Sequence, residues 1–333
     1  MNADLFQSLQ ANLLSPPVLF FVLGLMAAIV RSDLKFPEAL YVSLTIYLLC
    51  AIGFKGGVAI AEAGIAKVWL PTLSAMAIGA LISLWSYPVL RYLGRLPIAD
   101  AAAISGHYGS VSAVTFIAAT NFLKELDVAY EGYAPAFLAV MEAPAIIVAI
   151  LISRLALRQV NPAAPGIEDG VADALHHALL GRSVFLLLGT LLAGFLCGQR
   201  GMDTVAGFLV TPFQGVLALF LLELGTVAGR RLGDLRKVGA FLVGFGILMP
   251  IIHGAFGVVV GDAVGLSLGG TTLFAVLAAS ASYIAAPAAM RLSLPEANPT
   301  LYLTCALVIT FPFNVTLGIP IYYAIAIWWT GGQ

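Results

Sequence analysis

Ten apolar stretches, each near the roughly 20 residues that a helix needs to cross a hydrocarbon core about 30 Å thick, account for most of this chain. They run over 15–31, 38–56, 67–93, 97–122, 132–157, 181–200, 205–229, 238–262, 266–291 and 299–329. At membrane depth the backbone must satisfy its own hydrogen bonds, so such stretches fold as helices. The predicted fold class is therefore all-α integral membrane, with ten transmembrane helices. Only 10% of the residues are charged, against about 25% in soluble domains. The hinges at 31–37, 94–97, 262–265 and 295–299 are short and carry Gly, Pro or charged punctuation.

The one sizeable polar connector contains NPAAPGIEDGVADALHH. It divides the chain into a first five-helix repeat at 1–158, a connector at 159–181 and a second five-helix repeat at 182–333. Lysine and arginine are enriched in cytoplasmic loops. With the N-terminus outside, Lys55, Lys67, Lys124 and Arg200 fall outside, and the other twelve of the 16 Lys and Arg fall inside. Both termini and ten spans then satisfy the rule together, and the connector is cytoplasmic. Five spans per half place the second half upside down relative to the first, so the repeat is inverted.

A net charge of −1 gives no reason to expect nucleic acid as a partner. Cys50, Cys197 and Cys305 sit in apolar runs without metal-ligand or redox spacing. No HExxH, GxSxG or P-loop motif is present, so the chain reads as neither an enzyme nor an ATP-driven pump, and no cofactor is expected. The N-terminal residues lack a basic region and a small-residue cleavage site, so they do not read as a removable signal peptide.

Two spans carry polar interruptions. Span four contains Ser105 to Thr115, SGHYGSVSAVT, and span nine contains Ser280 to Pro287, SASYIAAP. Ser105-Gly106-His107-Tyr108 aligns without gaps on Ser280-Ala281-Ser282-Tyr283. Leu48–Gly56 similarly echoes Leu221–Gly229 in spans two and seven. Paired interruptions in corresponding positions of two halves point to a secondary transporter with discontinuous helices four and nine. Gly106 and Gly109 suit non-helical backbone. Ser110 and Ser112 suit the cap of a resumed half-helix, and Pro287 suits its first turn. Two such half-helices would aim their positive ends at one midplane site, which fits a small anion.

The candidate substrate-binding residues are therefore Gly106, His107, Tyr108, Gly109, Ser110, Ser112, Ser280, Ser282 and Tyr283. Ionisable residues inside spans default to functional hypotheses. Glu142, two residues before Pro144, is the candidate for the coupling ion, with Ser112 and Thr115, and Na⁺ is the candidate metal at Glu142. Glu223 could pair with Lys55 or an arginine. His253 reads as a packing residue, Asp100 as a residue near the cytoplasmic face that could meet water, and His176 and His177 as solvated. The pairs Gly53/Gly57, Gly225/Gly229 and Gly257/Gly261 read as close helix contacts.

These segments resemble the sodium-dependent bicarbonate transporter family, the SbtA-like permeases. The resemblance covers essentially all ten spans. It is carried by DAAAISGHYGSVSAVT, by MEAP at Met141–Pro144, by PIIHG at Pro250–Gly254 and by LGGTTLFAVLAASASYIAAPAAMRLSLPEANP. It implies a symporter that moves bicarbonate with Na⁺ across the bacterial inner membrane, with the anion between crossing broken helices. It also implies a homotrimer and, in many members, a cytoplasmic PII-like regulator. Tyr283 stands where the family usually has an acid, and Ala285 and Ala286 where it has small hydrogen-bonding or glycine positions. Glu142 keeps an acid where the family has aspartate. Two alternatives stay open on these residues: an H⁺-coupled permease for another small carboxylate or inorganic anion, and a non-transporting membrane anion sensor.

Overall fold

The computed structural model describes residues 10, 12–160, 180 and 182–331. His176, His177 and nearly all of the 159–181 connector lie outside the described residues. Among the described residues the chain is helical throughout, without strands. The elements are α1 (Pro16–Ile29), α2 (Glu38–Ala63), α3 (Ile65–Pro88, prolonged by a π-helical turn at Val89–Leu93), α4 (Ile98–Gly109), α5 (Ala113–Glu125) and α6 (Pro135–Val160). After the connector come α7 (Arg182–Leu209), α8 (Phe213–Arg230), α9 (Leu235–Ala263), α10 (Leu268–Ala279), α11 (Ala285–Ser293) and α12, the stretch Pro299–Thr330 with two π-helical segments inside it.

Among the described residues, six helical stretches are long and apolar enough to cross a bilayer. One of them, Phe213–Ala263, has 51 residues, roughly 75 Å of helix at 1.5 Å per residue, more than one crossing requires. A 3₁₀ turn at Leu232–Asp234 divides it into α8 and α9. The outer faces of α1, α3, α7 and α9 expose Leu23, Met26, Leu73, Leu84, Leu192, Leu196 and Leu248. Large apolar side chains exposed on so many helices suit a lipid surround. The protein is a multi-pass membrane protein.

The expected hinge near 201–204 is helical instead. The kink in α7 falls at Gly198, with φ 59° and ψ −161°, a conformation open mainly to glycine. Gln199 Nε2 then donates to Asp203 Oδ1 at 2.9 Å, an i,i+4 pair that carries the helix through the polar residues.

Two groups of helices pack internally and meet along one cleft. In the first, α2 lies along α7 and α1 along α8; in the second, α3, α4 and α6 pack together, as do α9, α10 and α12. The first group is held at backbone contact by glycines. A Cβ on Gly57 would overlap the Leu191 carbonyl oxygen of α7, and one on Gly194 the Phe54 carbonyl oxygen of α2. Gly24 of α1 and Gly225 of α8 meet Leu222 and Phe21 carbonyls in the same way. Gly257 and Gly261 similarly admit Ala275 and Thr271 of α10.

Asp100 is buried rather than hydrated. Its Oδ1 accepts from the Asn298 backbone amide at 2.6 Å, and Asn298 caps α12 by accepting from Thr300 N. The carboxylate therefore ties the start of α4 to the start of α12.

Gly57→Ala should lower the thermal midpoint in detergent, by the equivalent of about 1–3 kcal/mol for overpacking a close contact. Gly189→Ala, also on α7 but with nothing within 4 Å of the new Cβ, should be neutral or stabilising by up to about 1 kcal/mol. Equal effects would remove the argument that backbone contact holds α2 on α7.

Candidate functional site

A helix that stops at membrane depth leaves carbonyls and amides without their i,i+4 partners. α4 stops at Gly109, and Ser110 turns extended (φ −79°, ψ 172°). α10 stops at Ala279, and Ser280 adopts nearly the same conformation (φ −83°, ψ 166°). Both helices have 12 residues before the break.

The two breaks satisfy each other. The His107 carbonyl, freed where α4 ends, accepts from Ser282 N at 2.8 Å. Ser112 N donates to Ser280 Oγ at 2.9 Å, and Ser280 Oγ in turn donates to the Leu277 carbonyl at 2.8 Å. The second serine of each break bonds the first turn of the resumed helix, Ser112 as the N-cap of α5 and Ser282 from two residues before the N-cap Ile284 of α11. Ser112 Oγ accepts from Thr115 N at 3.1 Å and from Thr115 Oγ1 at 2.9 Å. Ser282 Oγ accepts from Ala286 N at 3.1 Å. Pro287 falls in the first turn of α11. At the end of α10, Asn314 Nδ2 of α12 donates to the Ala279 carbonyl at 2.9 Å.

Matched break to break, Ser110 corresponds to Ser280 and Ser112 to Ser282. The ungapped alignment of Ser105 on Ser280 is therefore out of register by five residues. Ser105 to Gly109 are all helical.

A buried cavity of about 20 Å³ lies beside the crossing, room for about one water-sized particle. Ser112, Ser282, Tyr283 and Glu142 line it, together with Thr45, Leu48 and Leu49 of α2 and Phe220 of α8. Ser112 Oγ donates to Tyr283 Oη at 3.3 Å. Glu142, on α6, is the one charged residue in the lining; it is buried, and its Oε2 has no hydrogen-bond partner. Both breaks and the acid thus face one small space where the two helix groups meet.

The remaining predicted residues support the crossing from behind. His107 donates from Nδ1 to the Ala103 carbonyl at 2.7 Å and stacks on Tyr302. Tyr108 Oη bonds with Thr310 Oγ1 and Cys305 Sγ of α12. Gly106 admits Met290 and Ala149, and Gly109 admits Ser83 and the Gly79 carbonyl. These glycines serve close packing within a helix, not irregular backbone. Ser110 Oγ is buried without a partner. Glu223 makes no ion pair among the described residues, and its Oε2 is buried and unpartnered. His253 Nε2 accepts from Trp85 Nε1 at 2.9 Å, a packing contact between α3 and α9. No cluster of three or more His, Cys, Asp or Glu side chains suited to a metal occurs among the described residues.

The model of the Na⁺-dependent bicarbonate transporter superfamily matches residues 16–327. The chain belongs to that superfamily. It is a transporter, not an enzyme, by membership. No curated protein matches the sequence. The match includes both breaks and Glu142. The residues that reading the sequence missed are Thr45 and Phe220, which reach the cavity from the other helix group; in sequence they look like ordinary span residues.

Ser280→Ala removes the acceptor of a buried amide, Ser112 N. It should lower thermal stability by about 1–3 kcal/mol, seen as an earlier melt in detergent, whereas Ser43→Ala, at an exposed serine of α2 bonded only to the Ala39 carbonyl, should change the melt little. An unchanged melt for Ser280→Ala would break the claim that the two interruptions brace each other.

Proposed function

We propose that this member of the superfamily is a ten-pass secondary transporter, an inverted 5+5 repeat with discontinuous helices four (α4–α5) and nine (α10–α11), and that it takes up bicarbonate with Na⁺ by alternating access. The observation that carries the reading is the single buried space shared by both helix breaks and by Glu142. Ser112, Ser282 and Tyr283, which line the space, are the anion's nearest donors, with the first-turn amides of α5 and α11 that are not already bonded to Ser112 and Ser282. Ser110 and Ser280 join them from just outside the lining, Ser280 by exchanging its bond to the Leu277 carbonyl. Gly106, His107, Tyr108 and Gly109 hold the first break in register.

Electrostatics explains why the anion would need a companion. A carboxylate buried in a low-dielectric site is costly alone, and an anion beside it adds repulsion of several kcal/mol, about 4 at 4 Å for an effective dielectric near 20. A Na⁺ ion between them reverses the sign. Glu142, Ser112 and Thr115 supply the hard oxygen ligands such an ion prefers. The two helix groups on either side of the cavity are the bodies whose relative shift would open it first to one side and then to the other. The charge asymmetry supports termini outside and the connector in the cytoplasm of a bacterial inner membrane. The homotrimer and the PII-like regulator follow from the resemblance.

One observation favours a second reading. Glu142 has no cationic partner, so a proton neutralises it without any rearrangement, as an H⁺-coupled permease for another small anion requires.

Uptake of labelled bicarbonate into proteoliposomes at fixed pH should rise steeply with an inward Na⁺ gradient. Glu142→Gln should reach the membrane normally and lose that gradient-driven accumulation by at least about tenfold, a barrier change of about 1.4 kcal/mol. Accumulation driven by a pH gradient alone would favour H⁺ coupling. Binding without accumulation under either gradient would leave the sensor reading in its place.

A further inference from the structure

A second cavity, of about 120 Å³, lies in the same cleft between the helix groups. It follows the same two helices as the central space. Val114 and Ile117 of α5 line the central cavity, and Thr120, Asn121 and Lys124 line the second. On α2 the lining passes from Leu48 and Leu49 to Ile52 and Lys55. From Val114 to Lys124 the rise is roughly 15 Å. Ile52 and Phe116 are among the apolar residues that line the second cavity.

The polar lining converges from four elements. Lys55 comes from α2, Thr120, Asn121 and Lys124 from α5, Tyr130 from the following loop and Gln214 from the start of α8. Two lysines, both exposed, thus line the mouth of one cavity, and neither is in an ion pair among the described residues. The nearby carboxylates are otherwise engaged. Glu125 Oε1 accepts from Asn121 Nδ2 at 3.0 Å, and Glu131 accepts from Ser267 N at 2.7 Å and from Ser267 Oγ at 3.1 Å. Interfacial lysines commonly extend into water, but that habit does not bring two of them onto one cavity with an asparagine, a glutamine and a threonine. Like charges on a shared enclosure repel, and a small anion between them relieves that repulsion.

We propose that this cavity is an outer anion-binding site, which takes a small monovalent anion of bicarbonate size from solvent before it reaches the helix breaks. The direction of flow rests on the transport reading above; the binding does not. Lysines at the mouth of a narrow cleft raise the local anion concentration and so act on capture rather than on the later steps.

The test that is independent of transport is lysine protection. The full-length protein in detergent is acetylated with a water-soluble amine reagent, and each lysine is followed by mass spectrometry at fixed pH and ionic strength. Sodium bicarbonate, relative to sodium gluconate, should slow modification of Lys55 and Lys124 severalfold and leave Lys67, exposed as they are but outside the cavity, unchanged. Formate and nitrate serve as further small probes. Lys55 and Lys124 behaving like Lys67 with all three anions would overturn the site, whatever the protein transports.

In proteoliposomes, Lys55→Gln/Lys124→Gln should raise the half-saturating bicarbonate concentration about tenfold, the lower end of field-driven enrichment, with the maximal rate within about twofold. An unchanged half-saturation would contradict the capture role. Failure of the wild-type protein to move bicarbonate would instead count against the proposed function, and protection would still decide the anion site.

Discussion

Non-helical backbone at membrane depth has to find hydrogen-bond partners inside the protein, and here it finds them in another stretch of the same kind. Ser282 N reaches the carbonyl that α4 abandons at His107, and Ser112 N reaches the hydroxyl of Ser280. Neither break is self-sufficient. The geometry of one therefore fixes the other, and both serines, Ser112 and Ser282, are held against the same cavity. A single polar crossing inside an apolar protein is costly unless each member is satisfied. The exceptions are His107 Nε2, Ser110 Oγ and Glu142 Oε2, all on residues proposed to hold the break or to meet the ions.

Much of this was legible in the sequence because the bilayer imposes a strict rule. Apolar length marks the helices, and polar residues within such a length mark where helices stop. Ser112, Ser282, Tyr283 and Glu142 were each visible as a polar or ionisable residue inside an apolar span. The pairing of the two breaks was not. Identical letters in Ser105–Tyr108 and Ser280–Tyr283 outweighed the quieter correspondence of Ser110-Val111-Ser112 with Ser280-Ala281-Ser282, which depends on backbone conformation. Gly106 and Gly109 misled for a related reason. Glycine permits both irregular backbone and close approach, and only the positions of Met290, Ala149 and Ser83 show that packing is its use here. Asp100 lacked any local signal because its partner, the Asn298 amide, is 198 residues away.

The position of the cavity matters as much as its lining. One wall comes from the two breaks and α6; the other is Thr45, Leu48, Leu49 and Phe220, from helices held together by glycine contacts. Interfaces between two separately packed bodies are the places where a protein can change shape without unpacking its cores. The lysine-lined cavity also lies between α2 and α5, so the proposed binding, charge compensation and access share the same pair of helices.

The most direct test of this account is an experimental structure of the protein in saturating Na⁺ and bicarbonate. The account predicts an anion within hydrogen-bond distance of the Ser112 and Ser282 hydroxyls and a cation on a Glu142 carboxylate oxygen, in a cavity enlarged by a shift of α2 and α8 away from the breaks. Ligands bound elsewhere, with Glu142 untouched and the crossing unchanged, would contradict it.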